Sequence, residues 1–147
     1  FKIKIMNFTF VIVGSVVAAL ITHLVAAMLY MNPFVTKIYK KHKKHPAINN
    51  HSTDKKFMID MFFLGMFIPS FIAATTYSYL KPGLHIINGD LGSMALVLAF
   101  MLIGIRIIPR FFDMNMLTSY PKKLLFIELI NGIILSFVTA AVLVFMI

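Results

Sequence analysis

LLFIELINGIILSFVTAAVLVFMI, residues 124–147, is the stretch that decides the fold. A bilayer's hydrocarbon layer is about 30 Å thick and takes roughly 20 apolar residues as a helix. The run is long enough. A strand of a membrane barrel needs only about 9–11 residues and alternates in polarity. Within lipid each backbone amide must bond inside its own segment or a closed barrel, so the run is a helix. It also holds Glu128, the only glutamate of the chain.

Three similar runs precede it, approximately 5–31, 57–79 and 91–108, and together the four occupy most of the 147 residues. Hydrophobic side chains make up 60% of the chain and its mean hydropathy is +0.90, whereas an ordinary soluble domain is about 45–50% apolar. A water-soluble protein this small could not bury so much apolar surface. The expected fold class is all-α: a polytopic membrane protein, a four-transmembrane-helix bundle forming one integral domain over 1–147. The first run lacks a small-residue cleavage motif and reads as a retained span, not a removed signal peptide. The chain opens on Phe1, and the expected start is either Phe1 or Met6, a natural initiator.

Prolines punctuate the runs. Asn32-Pro33, Lys81-Pro82-Gly83 and Pro109 follow the first three, and Pro121 precedes the fourth. Pro69 should kink the second, because it removes a helix hydrogen bond. The tyrosines, at 30, 39, 77, 79 and 120, fall at or just beyond the expected span ends, where aromatic rings with a polar tip collect.

Orientation follows from the basic residues. Loop 32–56 carries Lys37, Lys40, Lys41, Lys43, Lys44, Lys55 and Lys56, and the third loop region adds Arg106, Arg110, Lys122 and Lys123. The other side offers Lys2, Lys4 and Lys81. This bias puts loops one and three in the cytoplasm and both termini outside. The expected location is a bacterial inner (cytoplasmic) membrane. The run TKIYKKHKKHP, residues 36–46, reads as a polybasic segment for anionic lipid headgroups through Lys37, Lys40, Lys41, Lys43 and Lys44. No nucleic-acid reading motif accompanies it, so nucleic acid is not an expected partner.

Metal, cofactor and catalytic chemistry find little support. There is no cysteine, which excludes disulfides, thiolate metal sites and cysteine nucleophiles. His42, His45 and His51 stand at ligand-like spacings of three and six, but surrounding lysines oppose a cation and only Asp54 is near. No phosphate loop and no nucleophile motif is present. We expect no catalytic residue, cofactor or metal.

The polar residues inside the spans carry the remaining expectations. Small residues recur at helical spacing: Gly14 and Ala18 in span one, Gly65, Pro69, Ala73 and Thr76 in span two, and Gly132, Ser136 and Ala140 in span four. Such stripes let membrane helices approach closely. Glu128 lies on the span-four face that continues through Asn131, Gly132, Ser136 and Thr139. Arg106, at the same side of span three, is its expected ion-pair partner, clamping spans three and four. The alternative is a proton or substrate path through Glu128, His23 and Asp60, because ionisable groups in membrane spans often mark pathways.

The end of span one, Ala27-Met28-Leu29-Tyr30-Met31-Asn32-Pro33, and the run Pro109-Arg110-Phe111-Phe112 leading through Leu125-Phe126-Ile127 to Asn131-Gly132 carry a resemblance. They resemble the small four-span bacterial membrane proteins of a domain-of-unknown-function family, number seventeen sixty-one. The chain departs from that pattern at Met31, where a second aromatic residue is expected, and in its unusually basic first loop. The resemblance implies a bacterial-type four-helix fold and, since that family has no established activity, no catalytic residue. The leading expectation is a small integral membrane protein acting by association, as accessory subunit of a larger membrane complex or as a homo-oligomer. A small transporter or channel comes second and an intramembrane lipid-modifying enzyme third.

Overall fold

Asn32 closes one helix and opens another. Its Oδ1 accepts the Phe34 N–H at 2.9 Å, and Pro33 takes the first helical position, where its missing N–H has no partner to lose. The chain therefore turns at the end of α1 (Phe8–Met31) directly into a short helix α2 (Pro33–Lys41). In α2 the apolar Phe34, Val35 and Ile38 share the helix with Lys37, Lys40 and Lys41, the composition of a helix lying along a membrane surface. The computed structural model describes residues 8–46, 48 and 55–147. Several expectations fall outside these residues: Phe1 and Met6 as alternative starts, Lys2, Lys4 and Ile5, and His51 and Asp54 of loop one.

Beyond the loop, α3 (Lys55–Asp60) runs through a π-helical segment (Met61–Phe67) into α4 (Ile68–Asn88). Next, α5 (Leu91–Leu102) runs through a second π segment (Ile103–Ile107) into α6 (Ile108–Leu117). The last helix is α7 (Lys122–Met146). Among the described residues there is no strand, and four helical stretches are long and apolar enough to cross a membrane: Phe8–Met31, Met61–Leu84, Leu91–Leu117 and Lys122–Met146. The protein is an all-α integral membrane protein built as a four-helix bundle.

Two span ends differ from the sequence expectation, and prolines are the reason. Pro82 does not stop the second span, and α4 continues through it to Asn88. A proline inside a membrane helix is tolerated because neighbouring groups re-satisfy the freed carbonyl. The real stop is Gly89, whose φ of 60° few other residues adopt, followed by Asp90, whose carboxylate accepts the Ser93 N–H at 3.0 Å and caps α5. Those bonds, from backbone first, hold the Asp90 carboxyl below its ordinary range. Pro109 likewise does not end the third span, since the helix runs on to Leu117. The π segment Met61–Phe67 lies just upstream of Pro69, and Ile103–Ile107 just upstream of Pro109. The Ile68 N–H bonds back five residues to Phe63 and the Ile108 N–H to Ile103, the wide-turn pattern. A widened turn seats the proline that follows it.

In the bundle α7 packs along both α1 and α5, and α4 packs on α1. The core is formed by small residues and a few large ones: Ala18, Ala73, Ala74, Ala99 and Ala140 beside Tyr77, Met94, Leu98 and Leu143. In lipid this packing is held by close contact and a few interhelical hydrogen bonds, not by exclusion of water. One such bond joins Thr22 to Thr139 at 2.9 Å. The Thr139 hydroxyl already donates to the Leu135 carbonyl, so Thr22 is the donor of the pair. Gly132 admits Ile107, for a Cβ at that position would sit 3.0 Å from its Cδ1. Gly14 similarly faces Ile147 and Met146. Tyr77 is no interfacial residue. It is fully buried, with its hydroxyl 3.9 Å from Met94 Sδ.

Candidate functional site

Glu128 lies six residues after Lys122, the first residue of α7, which puts it about 9 Å along that helix. Three other parts of the chain converge on it. Tyr39 comes from α2, and its hydroxyl donates to Glu128 Oε1 at 3.2 Å. Tyr120 comes from the turn before α7 and donates to the same oxygen. Arg110, from α6, places its Nη2 3.6 Å from Oε2. Both carboxylate oxygens are thus engaged, one by phenols and one by a guanidinium. Tyr30, at the end of α1, completes the ring, its side chain 6.1 Å from Tyr39 in an edge-on contact.

Local sequence accounts for each member. The Asn32-Pro33 cap starts α2 at a fixed angle to α1, and that angle brings Tyr39 back over α7. Thr118 closes α6 by donating to the Met114 carbonyl and then accepts the Tyr120 N–H at 3.3 Å, which sets the turn that presents the Tyr120 ring. Burial, followed by the neighbouring carboxylate, raises the Tyr39 hydroxyl well above the usual phenol range. Burial, then its bond to Glu128, does the same for Tyr120. The cluster favours neutral phenols that donate to Glu128.

The expected clamp between Glu128 and Arg106 is corrected. Arg110 takes that place, and the Arg106 Nη2 donates instead to the Gly65 carbonyl at 2.9 Å. The physical reason lies in the chain. Gly65 lies in the widened turn just before Pro69, which has no N–H, so this stretch of coil is one backbone donor short and a donor from another span meets it there. Arg106 itself sits on an exposed side of its π segment.

The other candidates separate. His23 packs edge-on against Phe62, ring centroids 5.8 Å apart, with its Nδ1 buried and without a partner. Asp60 is exposed at the end of α3. No hydrogen bond or ion pair among the described residues links His23, Asp60 and Glu128. Asn131, one turn beyond Glu128, is buried, and its Nδ2 lacks a partner. Gly14, Ala18, Gly132, Ser136 and Ala140 all sit between α1, α7 and their neighbours. Lys37, Lys40, Lys41, Lys43 and Lys44 are exposed on α2 and just after it. The tyrosine partners of Glu128 were missed in the sequence, although one signal was present: three of the five tyrosines sit on the side of the chain that carries the basic loops.

No family model matches the chain, and neither a curated protein nor a solved structure matches it.

Proposed function

We infer that the chain is a small, non-enzymatic membrane protein that works by association, as accessory subunit of a larger membrane complex or as a homo-oligomer. The observation that carries this reading is the exposed Arg106. It lies within the helical stretch Leu91–Leu117, and its hydrogen-bond partner is a backbone carbonyl. A charged side chain within a membrane helix costs about 2.5–3.5 kcal/mol at the centre and less toward the ends, so such groups usually face protein. The surface around it is open. Cα atoms of the segments Met61–Phe67 and Ile103–Ile107 do not come within 8 Å of each other, and a Cβ on Gly65 or Gly104 would meet nothing within 4 Å. A helix from another chain laid over this seam would shield Arg106 and use both glycines for close approach. The basic loops favour an orientation with loops one and three in the cytoplasm and both termini outside, in a bacterial-type inner membrane.

Gentle detergent extraction followed by size analysis tests the reading. The chain should travel with other subunits or with copies of itself, and Gly65→Leu with Gly104→Leu should release it. A lone chain in every mild detergent would overturn the proposal.

A second reading, a small transporter or channel through Glu128, His23 and Asp60, draws support from the unpartnered His23 Nδ1 and Asn131 Nδ2, which suit a water-lined path. Proteoliposome flux decides it: flux that survives Glu128→Gln unchanged removes that carboxylate from the path.

A further inference from the structure

Helix α2 and the first turns of α7 lie side by side, and a groove of about 620 Å³ runs between them. One wall is basic. Lys37 and Lys41 come from α2, His42 from its C-cap and Lys123 from the first turn of α7. The floor is apolar, formed by Phe34, Ile38, Phe126 and Ile127. Phe34 is 70% exposed and Phe126 55%, so large aromatic faces lie uncovered inside it. The ring of His42 is fixed there, because its Nδ1 donates to the Ile38 carbonyl at 2.9 Å and a carbonyl only accepts.

Among the described residues no carboxylate lines the groove. Glu128 follows Ile127 directly, yet it is held elsewhere by Tyr39, Tyr120 and Arg110. The groove also sits where two spans leave the hydrocarbon, α1 ending at Met31 and α7 beginning at Lys122. Its volume lies in the range of small-ligand sites, roughly 300–1,000 Å³. Three ammonium groups over a greasy floor at the membrane boundary complement a ligand with an anionic head and an apolar tail. A free phosphate would leave the floor unused.

We propose that this groove holds one anionic phospholipid of the adjacent leaflet. Its phosphate sits among Lys37, Lys41 and Lys123, and an acyl chain lies along Phe34, Ile38 and Phe126. This is a site for a single lipid, distinct from diffuse attraction by the whole basic loop, and Lys40, Lys43 and Lys44 do not line it.

The full chain in nanodiscs of phosphatidylcholine with a minor fraction of phosphatidylglycerol, released and weighed by native mass spectrometry, tests this. One phosphatidylglycerol per chain should be retained. Each lysine near an anionic head contributes about a fivefold factor, so Lys37→Gln with Lys123→Gln should weaken retention roughly 25-fold. Lys43→Gln with Lys44→Gln removes the same charge and should leave retention nearly unchanged. Phe34→Ala should weaken it with no change in charge. Equal losses in the two lysine pairs would overturn the proposal in favour of diffuse attraction. Retention of phosphatidylcholine as readily as phosphatidylglycerol by the unaltered chain would overturn it without any variant. So would displacement of the lipid by water-soluble glycerophosphate.

Discussion

Tyr120 and Glu128 lie eight residues apart, and the phenol of the first donates to the carboxylate of the second across the start of α7. Tyr39 reaches the same oxygen from 89 residues away. One acid thereby ties the surface helix α2, the turn before α7 and α7 itself into a single unit.

Removing that acid should loosen the unit in graded steps. Glu128→Gln keeps an acceptor oxygen for the phenols and should cost about 1 kcal/mol, while Glu128→Ala leaves two half-buried hydroxyls without an acceptor and should cost about 2–3 kcal/mol. Thermal unfolding in detergent would rank the two variants. Equal midpoints would show that the hydroxyls find other partners.

The two arginines are separable by double-mutant cycles. Arg110 is 64% exposed, so its pairing with Glu128 should show a coupling of about 0.2–1 kcal/mol. Arg106 paired with Glu128 in the same cycle should show none, since its partner is the Gly65 carbonyl. Coupling of Arg106 larger than that of Arg110 would restore the clamp expected from sequence.

Alkaline pH should weaken the same region. In the unfolded chain the two phenols ionise near pH 10. In the folded chain burial and the carboxylate hold Tyr39 and Tyr120 protonated to higher pH. A raised folded value means that the stabilisation is fully present below about pH 10 and is lost as pH rises beyond it. Phenolate absorbance should therefore show a late phase that coincides with loss of structure. The phase should shrink in both Tyr39→Phe and Tyr120→Phe.

Glycines distinguish packing within the chain from packing between chains. Gly132→Leu would drive a side chain into Ile107 and should destabilise the isolated protein by about 1–3 kcal/mol. Gly65→Ala, with nothing within 4 Å, should leave its midpoint nearly unchanged. A marked drop for Gly65→Ala would place that glycine in a contact within the chain.

Length and hydropathy made the four spans legible, because a bilayer demands a fixed run of apolar residues whatever the packing. Their ends were less legible. Pro82 and Pro109 carry the usual signal of a helix stop, yet the helices run on through both, to the Asn88-Gly89-Asp90 turn and to Thr118. The start of α2 was also written in Asn32-Pro33, a helix cap as much as a helix end. The site was only half readable. Glu128 stood out by composition, but its choice of Arg110 over Arg106 depends on the widened turn at Ile103–Ile107, and no hydrophobic period records that. Tyr39 reaches Glu128 through tertiary placement alone, which spacing along a chain does not encode.

The widened turns also set rotational phase. A helix advances about 100° per residue, and the wide coil absorbs one extra residue within about one regular turn, so excising Gly104 would let the coil close with its downstream phase nearly kept, whereas forcing it regular with that residue retained would swing everything downstream by about that angle. Arg110 would then point away from Glu128 while the segment before Ile103 kept its seat against α7. The basic end of the bundle is clocked against its other half by a surplus residue in the coil, and a change that tightens the coil while keeping that residue is the one that would reset it.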